Sequence, residues 1–234
     1  MASVSITTEQ VRAFRARRTL LTEPGASGIA EAARRILGLQ AQVDSCALHA
    51  LSMRCAQRPD QVAIKRAILE DRALVRTWGQ RDTLHLFAAE DLPWIIAARG
   101  LWKQTGRRGG MPPEELLDDM AALFEAADGA LVRSDLFSHI PAEYVDALRD
   151  HPGAGKDPQR FAASRIIWRL AYRGDIVFAS KAGREQSYAW RGSWLPQLEW
   201  VEHDAWDACV ALTESGAQPD HLAGWLIAVG KRKA

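Results

Sequence analysis

The sequence predicts a mainly α fold with small β-hairpins, of the α+β class. Apolar residues at helical spacing dominate both halves of the chain. Two stretches rich in β-branched and aromatic residues are each divided by residues of turn composition, as in hairpins. A basic helix followed by such a hairpin occurs twice, at residues 60–87 and 158–190. A recurring unit of this kind constrains the fold more than any single residue does.

The first half begins with a series of predicted helices. We expect them at residues 7–22 (amphipathic), 29–39, 45–57 and from residue 60 onward. Thr7, Asp44 and Asp60 are the predicted N-caps, because their side-chain oxygens can accept hydrogen bonds from amides of the first helical turn. For Asp44 a role as general base is the alternative. The helix after Asp60 carries Lys65 and Arg66 on a basic face.

A hairpin follows these helices. Residues 74–78 and 83–87 have strand composition, and residues 79–82 between them have turn composition. Residues 90–103 again have helical spacing, and the Gly- and Pro-rich residues 105–113 are the best linker in the chain.

The second half repeats this plan. Helices are predicted at residues 114–127, from Arg133, and at residues 158–173, where Asp157 caps the last helix and Gly174 ends it. A second hairpin is predicted from strands at residues 175–180 and 186–190.

Three helices and a hairpin, in this order, are typical of a winged helix, a variant of the helix-turn-helix. The sequence therefore predicts tandem winged-helix (helix-turn-helix) domains, the first in residues 1–104 and the second in residues 111–200. Residues 219–225 are similar to the opening of a third, so we interpret residues 201–234 as the start of a third winged helix.

Charge is distributed in blocks along the chain. The formal net charge is +1, but residues 1–110 carry +7, residues 111–157 carry −8, residues 158–191 carry +5 and residues 192–234 carry −3. The basic helix and hairpin of each predicted winged helix, residues 60–87 and 158–190, fall in the basic blocks, which favours a nucleic-acid partner. Two alternatives remain open: scattered solvated charge, or a winged helix that binds protein.

Several classes of protein and site are excluded by the sequence. The longest apolar runs are too short to cross a membrane, and arginines interrupt the N-terminal residues where a signal peptide would need an apolar core, so we predict a cytoplasmic, nucleoid-associated protein. Three cysteines without CxxC spacing are predicted to be buried small hydrophobes. Because phosphate-loop, zinc and nucleophile-elbow motifs are missing, we expect no metal and no cofactor.

Two motifs in the first half carry a family resemblance. They are LGLQAQ at residues 37–42 and LVRTWGQRDTLHL at residues 74–86. Together, at this spacing, they resemble the bacterial winged-helix DNA glycosylases of the AlkZ and YcaQ type. The resemblance implies tandem winged helices followed by a β-barrel-like C-terminal part. It also implies hydrolysis of the N-glycosidic bond of cationic alkylated purines, N7-adducted or crosslinked, in DNA repair or genotoxin resistance.

The catalytic signature of that family is Gln, an apolar or small residue, and then Gln or Asp. It falls on Gln40-Ala41-Gln42, which makes Gln40 and Gln42 the catalytic candidates. Where the family usually has Gly, this chain has Asp82, which also tolerates a positive φ. The chain is shorter than family members, so we expect it to be C-terminally shortened: a truncated member, a fragment, or the product of a disrupted reading frame.

An N7-alkylated purine is already cationic, so it can depart without protonation. Two neutral amides could then suffice, one ordering the attacking water and one hydrogen-bonding the sugar or the water. Residues i and i+2 do not share a helix face, so we expect Gln40 and Gln42 at a helix end or in a loop. The alternative is a pair of glutamines that only hydrogen-bond the backbone at a helix terminus.

The expected partner is double-stranded, damaged DNA. Candidate DNA-binding residues lie on both basic helices and on the first hairpin; they are Lys65, Arg76, Thr77, Arg81, Thr83, His85, Arg165 and Arg169. His85 has an equally weighted structural alternative, and Trp78 either stacks on a base or lies in the core. Competing functions are a winged-helix DNA-binding protein without catalysis, for example a truncated inactive paralogue, and a protein-interaction scaffold.

Overall fold

A computed structural model describes residues 5–22, 25–79, 82–100 and 110–214, without the side chains of residues 213 and 214. The α-helices in these ranges are α1 (Thr8–Arg18), α2 (Ile29–Arg35), α3 (Asp44–Ser52), α4 (Gln61–Leu69), α5 (Leu92–Arg99), α6 (Glu114–Ala126), α7 (Ala142–Ala147), α8 (Pro158–Arg173), α9 (Arg191–Trp194) and α10 (Ala205–Glu214). Short 3-10 helices span Ala89–Asp91 and Arg133–His139.

The described strands form one antiparallel sheet of six. They are β1 (Leu39–Gln40), β2 (Leu74–Trp78), β3 (Leu84–Ala88), β4 (Leu131–Val132), β5 (Ile176–Ala182) and β6 (Glu185–Trp190). Their order across the sheet is β1-β3-β2-β5-β6-β4. The mixed helical and antiparallel architecture confirms the predicted α+β class.

The same sequence of elements occurs twice around this sheet. The order α2-β1-α3-α4-β2-β3 (residues 29–88) is matched by α6-β4-α7-α8-β5-β6 (residues 114–190). In each, the first short strand pairs with the last strand of the hairpin, β1 with β3 and β4 with β6. We call these segments the first repeat and the second repeat. They join at the pairing of β2 with β5, where Arg76 lies opposite Phe178.

Both hairpins are present as predicted. In the first, the Gly79 amide donates to the Thr83 carbonyl at 2.8 Å, and Asp82 has a φ of 56°. Asp82 therefore adopts the left-handed conformation for which its short side chain is suited. In the second hairpin the strands extend further than predicted, with Gly183 at a φ of 63° in the turn between them.

Alternation along the strands divides the sheet into two faces. Leu74 and Leu86 pack into the core of the first repeat, and Phe178 packs into the core of the second. The neighbouring residues Val75 and Phe87 point the other way, into a third cluster formed with α5 and α10. The joined sheet is thus covered on one face by the helices of the repeats and on the other by α5 and α10.

Two helix predictions in the first half are wrong in extent. The helix expected to reach Leu39 ends at Arg35, because Leu37 (φ 52°) and Gly38 (φ 85°) turn the chain out of the helix and into β1. A side chain at Gly38 would overlap the Phe87 ring, which makes glycine necessary there. The helix expected over residues 45–57 ends at Ser52.

The N-terminal helix differs in character from the prediction. The Thr7 cap is confirmed, with the Gln10 amide donating to its hydroxyl at 3.1 Å, but α1 ends at Arg18 rather than near Thr22. It buries none of its residues, and Phe14 is 56% exposed. The expected amphipathic face therefore has no cover among the described residues.

Sequence reasoning missed several short elements: β1, β4, α7 and α9. Residues 205–214 form α10, which contributes Cys209 and Leu212 to the core beside α5. Cys55 and Cys209 are buried as predicted, whereas Cys46 is exposed, because it lies on the solvent side of α3. No helix in the described ranges is long and apolar enough to span a membrane.

Candidate active site and nucleic-acid interface

The Gln40-Ala41-Gln42 segment lies at the edge of the sheet. Gln40 pairs with His85 across the β1–β3 ladder, and the Ala41 amide donates to the Leu84 carbonyl at 2.6 Å. The Leu84 amide in turn donates to Oε1 of Gln42 at 3.3 Å. The segment is therefore held along β3, and it ends directly before Val43, the N-cap of α3.

Both glutamines are accessible at this sheet edge. Ala41 is 1% exposed, whereas Gln40 and Gln42 are both exposed. Gln40, opposite His85, lies on the face of the sheet toward α5. Gln42 instead lines a cavity together with Arg76 and Trp78. The segment meets the loop expectation at Gln42, which lies in a bend, but Gln40 belongs to a strand.

Asp44 is not the predicted N-cap. It is the first residue of α3, whose N-cap is Val43, and its side chain makes no capping hydrogen bond. Its carboxylate instead forms ion pairs with Nη1 of Arg76 at 2.8 Å and with Nζ of Lys181 at 3.3 Å. Asp44 thereby connects β2 of the first repeat to the hairpin of the second.

Arg76 is mostly buried and makes contacts within the protein. Its side chain is 17% exposed, and Nη2 donates to the Ala41 carbonyl at 2.9 Å. Its guanidinium carbon lies 5.4 Å from the centre of the Phe178 ring, within cation–π range. Trp78, the next residue on this face, packs edge-on against Phe178 with ring centres 4.8 Å apart, so core packing is the outcome for Trp78.

Two cavities flank this ion-pair cluster. One, of about 510 Å³, is lined by Gln42, Val43, Asp44, Arg76, Trp78, Asp82, Leu84, Phe178, Lys181, Gln186 and Tyr188. The other, of about 360 Å³, runs between α3, α4 and the strands and is lined by Ala41, Asp44, Ala47, Leu48, Lys65, Ile68, Leu69, Arg76, Leu86, Phe178, Ala179, Ser180, Lys181 and Gln186. Burial raises the pKa of Tyr188, so its hydroxyl is neutral and available to donate at physiological pH.

Thr77 and His85 are corrected by the structure. They pair with each other on the sheet face toward α5 and are 1% and 2% exposed. The His85 ring is hydrogen-bonded through Nδ1 to the Thr83 carbonyl at 2.9 Å and stacks on Phe87 with ring centres 5.7 Å apart. Residues buried in this way do not contact DNA, so the structural alternative for His85 is the correct one.

The second basic helix is also corrected. Arg165 is 6% exposed, and its Nε donates to the Gly110 carbonyl at 3.3 Å. Arg169 forms an ion pair with Glu114 of α6 at 3.3 Å. Arg169 and Arg173 of α8 thus pair with the acidic helix α6.

The remaining predicted contacts stay predictions. Lys65 is exposed on α4 and lines the smaller cavity, and Thr83 is half-buried beside the first turn. Arg81 lies outside the described residues. The sequence analysis did not name Lys181 as a candidate site residue. Its position in the basic second hairpin was a usable signal. However, the sequence does not show that the two hairpins join in one sheet.

Within the described ranges, no group of three or more His, Cys, Asp or Glu side chains is arranged to hold a metal ion. The buried cation of this region is Arg99, which is 1% exposed and donates to the Trp78 carbonyl at 2.6 Å. Burial lowers the pKa of Arg99 to about 10, so it remains a cation at neutral pH. Its hydrogen bond to the Trp78 carbonyl connects α5 to the end of β2.

Comparisons with known proteins agree with this description. The family model described as DNA glycosylase AlkZ-like matches residues 33–230. An interstrand DNA cross-link repair glycosylase of Streptomyces sahachiroi is 32% identical over 190 residues, which cover 76% of this chain and 48% of the relative. The chain therefore spans about half the length of the curated relative it matches.

A solved structure gives the same result for the fold. The Streptomyces sahachiroi DNA glycosylase AlkZ is similar with a TM-score of 0.69 and 19% identity, over 95% of this chain and 65% of that one. The resemblance inferred from the Gln40-Ala41-Gln42 segment and the first hairpin is confirmed by the family match over most of the sequence. This chain belongs to the AlkZ-like DNA glycosylase family.

Proposed function

We propose that this protein is a monofunctional DNA glycosylase. It hydrolyses the N-glycosidic bond of cationic alkylated purines, N7-adducted or crosslinked, in double-stranded DNA, and acts in the cytoplasm at the nucleoid. The observation that carries the proposal is the Gln40-Ala41-Gln42 segment beside the first hairpin, in which both glutamine side chains are exposed. Family membership and the name of the curated cross-link repair relative support the same reaction.

We infer that the two repeats are tandem winged helices. In each, a short strand precedes the second helix and pairs with the last strand of the hairpin, which makes a three-stranded sheet against a helical core. The structural likeness to AlkZ supports this interpretation. The two winged helices of the proposal correspond to residues 1–104 and 111–200. The proposed start of a third, residues 201–234, lies outside the described residues from residue 215 onward.

The chemistry of the site follows from its amides. Gln42 accepts one hydrogen bond from the Leu84 amide, which leaves a second acceptor lone pair and two N–H donors for a water or a sugar oxygen. Gln40 supplies a second exposed amide at the same sheet edge. Because the leaving base is already cationic, these groups need only order the water that attacks C1′ and stabilise the charge that develops on the sugar.

Binding of DNA is attributed to exposed cations near this segment. Lys65 on α4 and Lys181 on the second hairpin both line the smaller cavity. Lys181 pairs with Asp44, but its side chain is 57% exposed, against 24% for that of Arg169. Both ammonium groups can therefore neutralise backbone phosphate. They replace Arg165 and Arg169 in the proposed contact set, while Arg81 and Thr83 on the first turn remain in it.

The deciding experiment measures abasic-site formation in duplex DNA that contains N7-methylguanine. The wild-type chain is expected to release the base, and Gln40→Ala and Gln42→Ala are each expected to reduce the rate by about 10²-fold or more, as for loss of one group that orients or stabilises the reacting atoms. Ser134→Ala is the matched control, because Ser134 occupies in the second repeat the position of Gln42 in the first.

Each result separates the competing functions. If the wild-type chain leaves the base in place but binds duplex DNA in a salt-sensitive manner, it is a DNA-binding protein without catalysis. If it also fails to bind at low salt, the proposal of a DNA substrate is wrong. Equal activity in the wild type and both glutamine variants would place the chemistry elsewhere.

A further inference from the structure

Arg76 contacts the centre of the candidate catalytic segment from an adjacent strand. Its Nη2 donates to the carbonyl of Ala41, the middle residue of Gln40-Ala41-Gln42, at 2.9 Å. Its Nη1 lies 2.8 Å from Oδ1 of Asp44. These two acceptors stand on either side of Gln42 in the sequence. One guanidinium group therefore connects both ends of the short segment in which Gln42 lies.

The planarity of the guanidinium group makes this connection rigid. Its N–H groups form a fixed fork, so the positions of both acceptors are set relative to one plane. The plane itself is held by the strands around it: Arg76 lies opposite Leu86 on β3 and opposite Phe178 on β5. Arg76 thus links the segment to the place where the two repeats join.

Asp44 extends the same arrangement to the second repeat. Its second carboxylate oxygen is 3.3 Å from Nζ of Lys181, which lies near the turn of the β5–β6 hairpin. The sequence Ala41, Arg76, Asp44, Lys181 is therefore a continuous chain of polar contacts from the candidate catalytic segment to the second hairpin.

We propose that Arg76, with Asp44 as its counter-ion, is a positioning residue that orients Gln42 for water attack. The inference rests on the proposed glycosylase function. Arg76 acts through the Ala41 carbonyl and the start of α3, and it does not touch the DNA. A phosphate contact at Arg76, which the sequence suggested, is the competing interpretation and makes opposite predictions.

The first test is Arg76→Lys, which keeps the charge and removes the fork. A misplaced catalytic group is costly even at small displacement, so we expect kcat for N7-methylguanine release to fall by about 10- to 100-fold while KM for the DNA changes by less than about 2-fold. We also expect an unchanged slope of log affinity against log salt. If instead Arg76→Ala weakens binding, lowers that slope by about 0.9 and leaves kcat intact, Arg76 is a phosphate ligand and the proposal is wrong.

A second measurement does not depend on activity. Amide hydrogen exchange at residues 40–42 is expected to accelerate in Arg76→Lys and, less strongly, in Asp44→Asn, which retains an acceptor oxygen but loses the charge. Arg35→Lys, which alters the exposed Arg35–Glu31 ion pair (3.5 Å), is the matched control and should change neither exchange nor kcat. Asp44 is 47% exposed, so its variant is expected to fold even if substitution of Arg76 does not allow folding.

These readouts distinguish the two proposals from each other. A wild-type chain without glycosylase activity but with faster exchange in the Arg76 and Asp44 variants would refute the function and retain the positioning role for the segment. An active wild-type chain whose variants show unchanged exchange and unchanged kcat would refute the positioning role and retain the function.

Discussion

In the first repeat, the helix before the hairpin buries only Ile64 and Ala67, whereas the equivalent helix of the second repeat, α8, buries nine residues. Strand β1 carries Gln40 opposite His85, and the equivalent strand β4 carries Val132 opposite Ser187. Where the first repeat continues with Ala41 and Gln42, the second continues with Arg133 and Ser134. One topology thus carries the amides of the proposed reaction in one copy and mainly buried and ion-paired side chains in the other.

The electrostatics of the two copies differ in the same way. Lys65 of α4 is exposed, and Arg66 forms long ion pairs at the surface with Glu70 and Asp71. In α8, Arg169 and Arg173 both pair with Glu114. A basic helix that follows an acidic one along the chain can be neutralised by folding onto it. The copy that remains electropositive is then the one that can attract DNA.

The largest expected difference between the copies is in stability. Ile166 of α8 is fully buried, so Ile166→Ala is expected to lower the free energy of unfolding by about 2–5 kcal/mol. Val62→Ala on α4, where the side chain is 74% exposed, should change it by less than about 0.5 kcal/mol. Urea unfolding followed by circular dichroism measures both. Equal effects of the two substitutions would contradict the difference in burial between α8 and α4.

Next is the salt dependence of DNA binding. Lys65→Gln removes an exposed cation, so the slope of log affinity against log salt should become shallower by about 0.9. Arg169→Gln removes a cation that is already paired with Glu114 and should leave the slope unchanged. Fluorescence anisotropy with a labelled duplex at several salt concentrations tests the contrast. A change of slope in Arg169→Gln would make both copies DNA-binding surfaces.

A smaller, pH-dependent effect is expected at the end of α8. Burial raises the pKa of Asp175, although Arg173 and Arg191 oppose the shift. An acid whose pKa is higher in the folded state holds more protons folded than unfolded, so its contribution to stability declines as the pH rises from the ordinary aspartate pKa through the raised one. The stability of Asp175→Asn relative to the wild type should therefore increase with pH over this window. Chemical unfolding at a series of pH values above 3.8 measures it, and a decreasing difference would contradict the burial effect.

The smallest expected effect concerns thiol reactivity. Cys46 is exposed on α3, whereas Cys55 is buried in the core of the first repeat and Cys209 beside α5. Burial raises the pKa of Cys209 to about 11, which keeps it as the unreactive thiol at neutral pH. Alkylation followed by mass spectrometry should label Cys46 first. Equal labelling of Cys46 and Cys209 would indicate that α10 detaches readily from α5.

Features that depend on local sequence were predictable. Asp60 caps α4 by accepting from the Ala63 amide at 2.8 Å, and Asp157 caps α8 by accepting from the Arg160 amide at 2.8 Å. The end of α8 at Gly174, with a φ of 86°, follows from a residue that adopts the left-handed conformation freely. Both hairpins also follow from their strand and turn composition.

Features that depend on long-range contact were not predictable. Thr77 and His85 are buried because α5 and α10 cover their face of the sheet. Arg76 became an internal residue because the two hairpins join beside it. The charge blocks are visible in the sequence. That the acidic helix α6 packs against the basic helix α8 is not.

The two-residue strands β1 and β4 occupy both edges of the sheet. A long exposed edge offers a row of unpaired amides and carbonyls on which another chain can add a strand, and very short edge strands prevent this. The positions of Gln40 and Val132 at these edges therefore also limit self-association through the sheet. The same short strand that carries Gln40 thus also offers few backbone groups for pairing with a second chain.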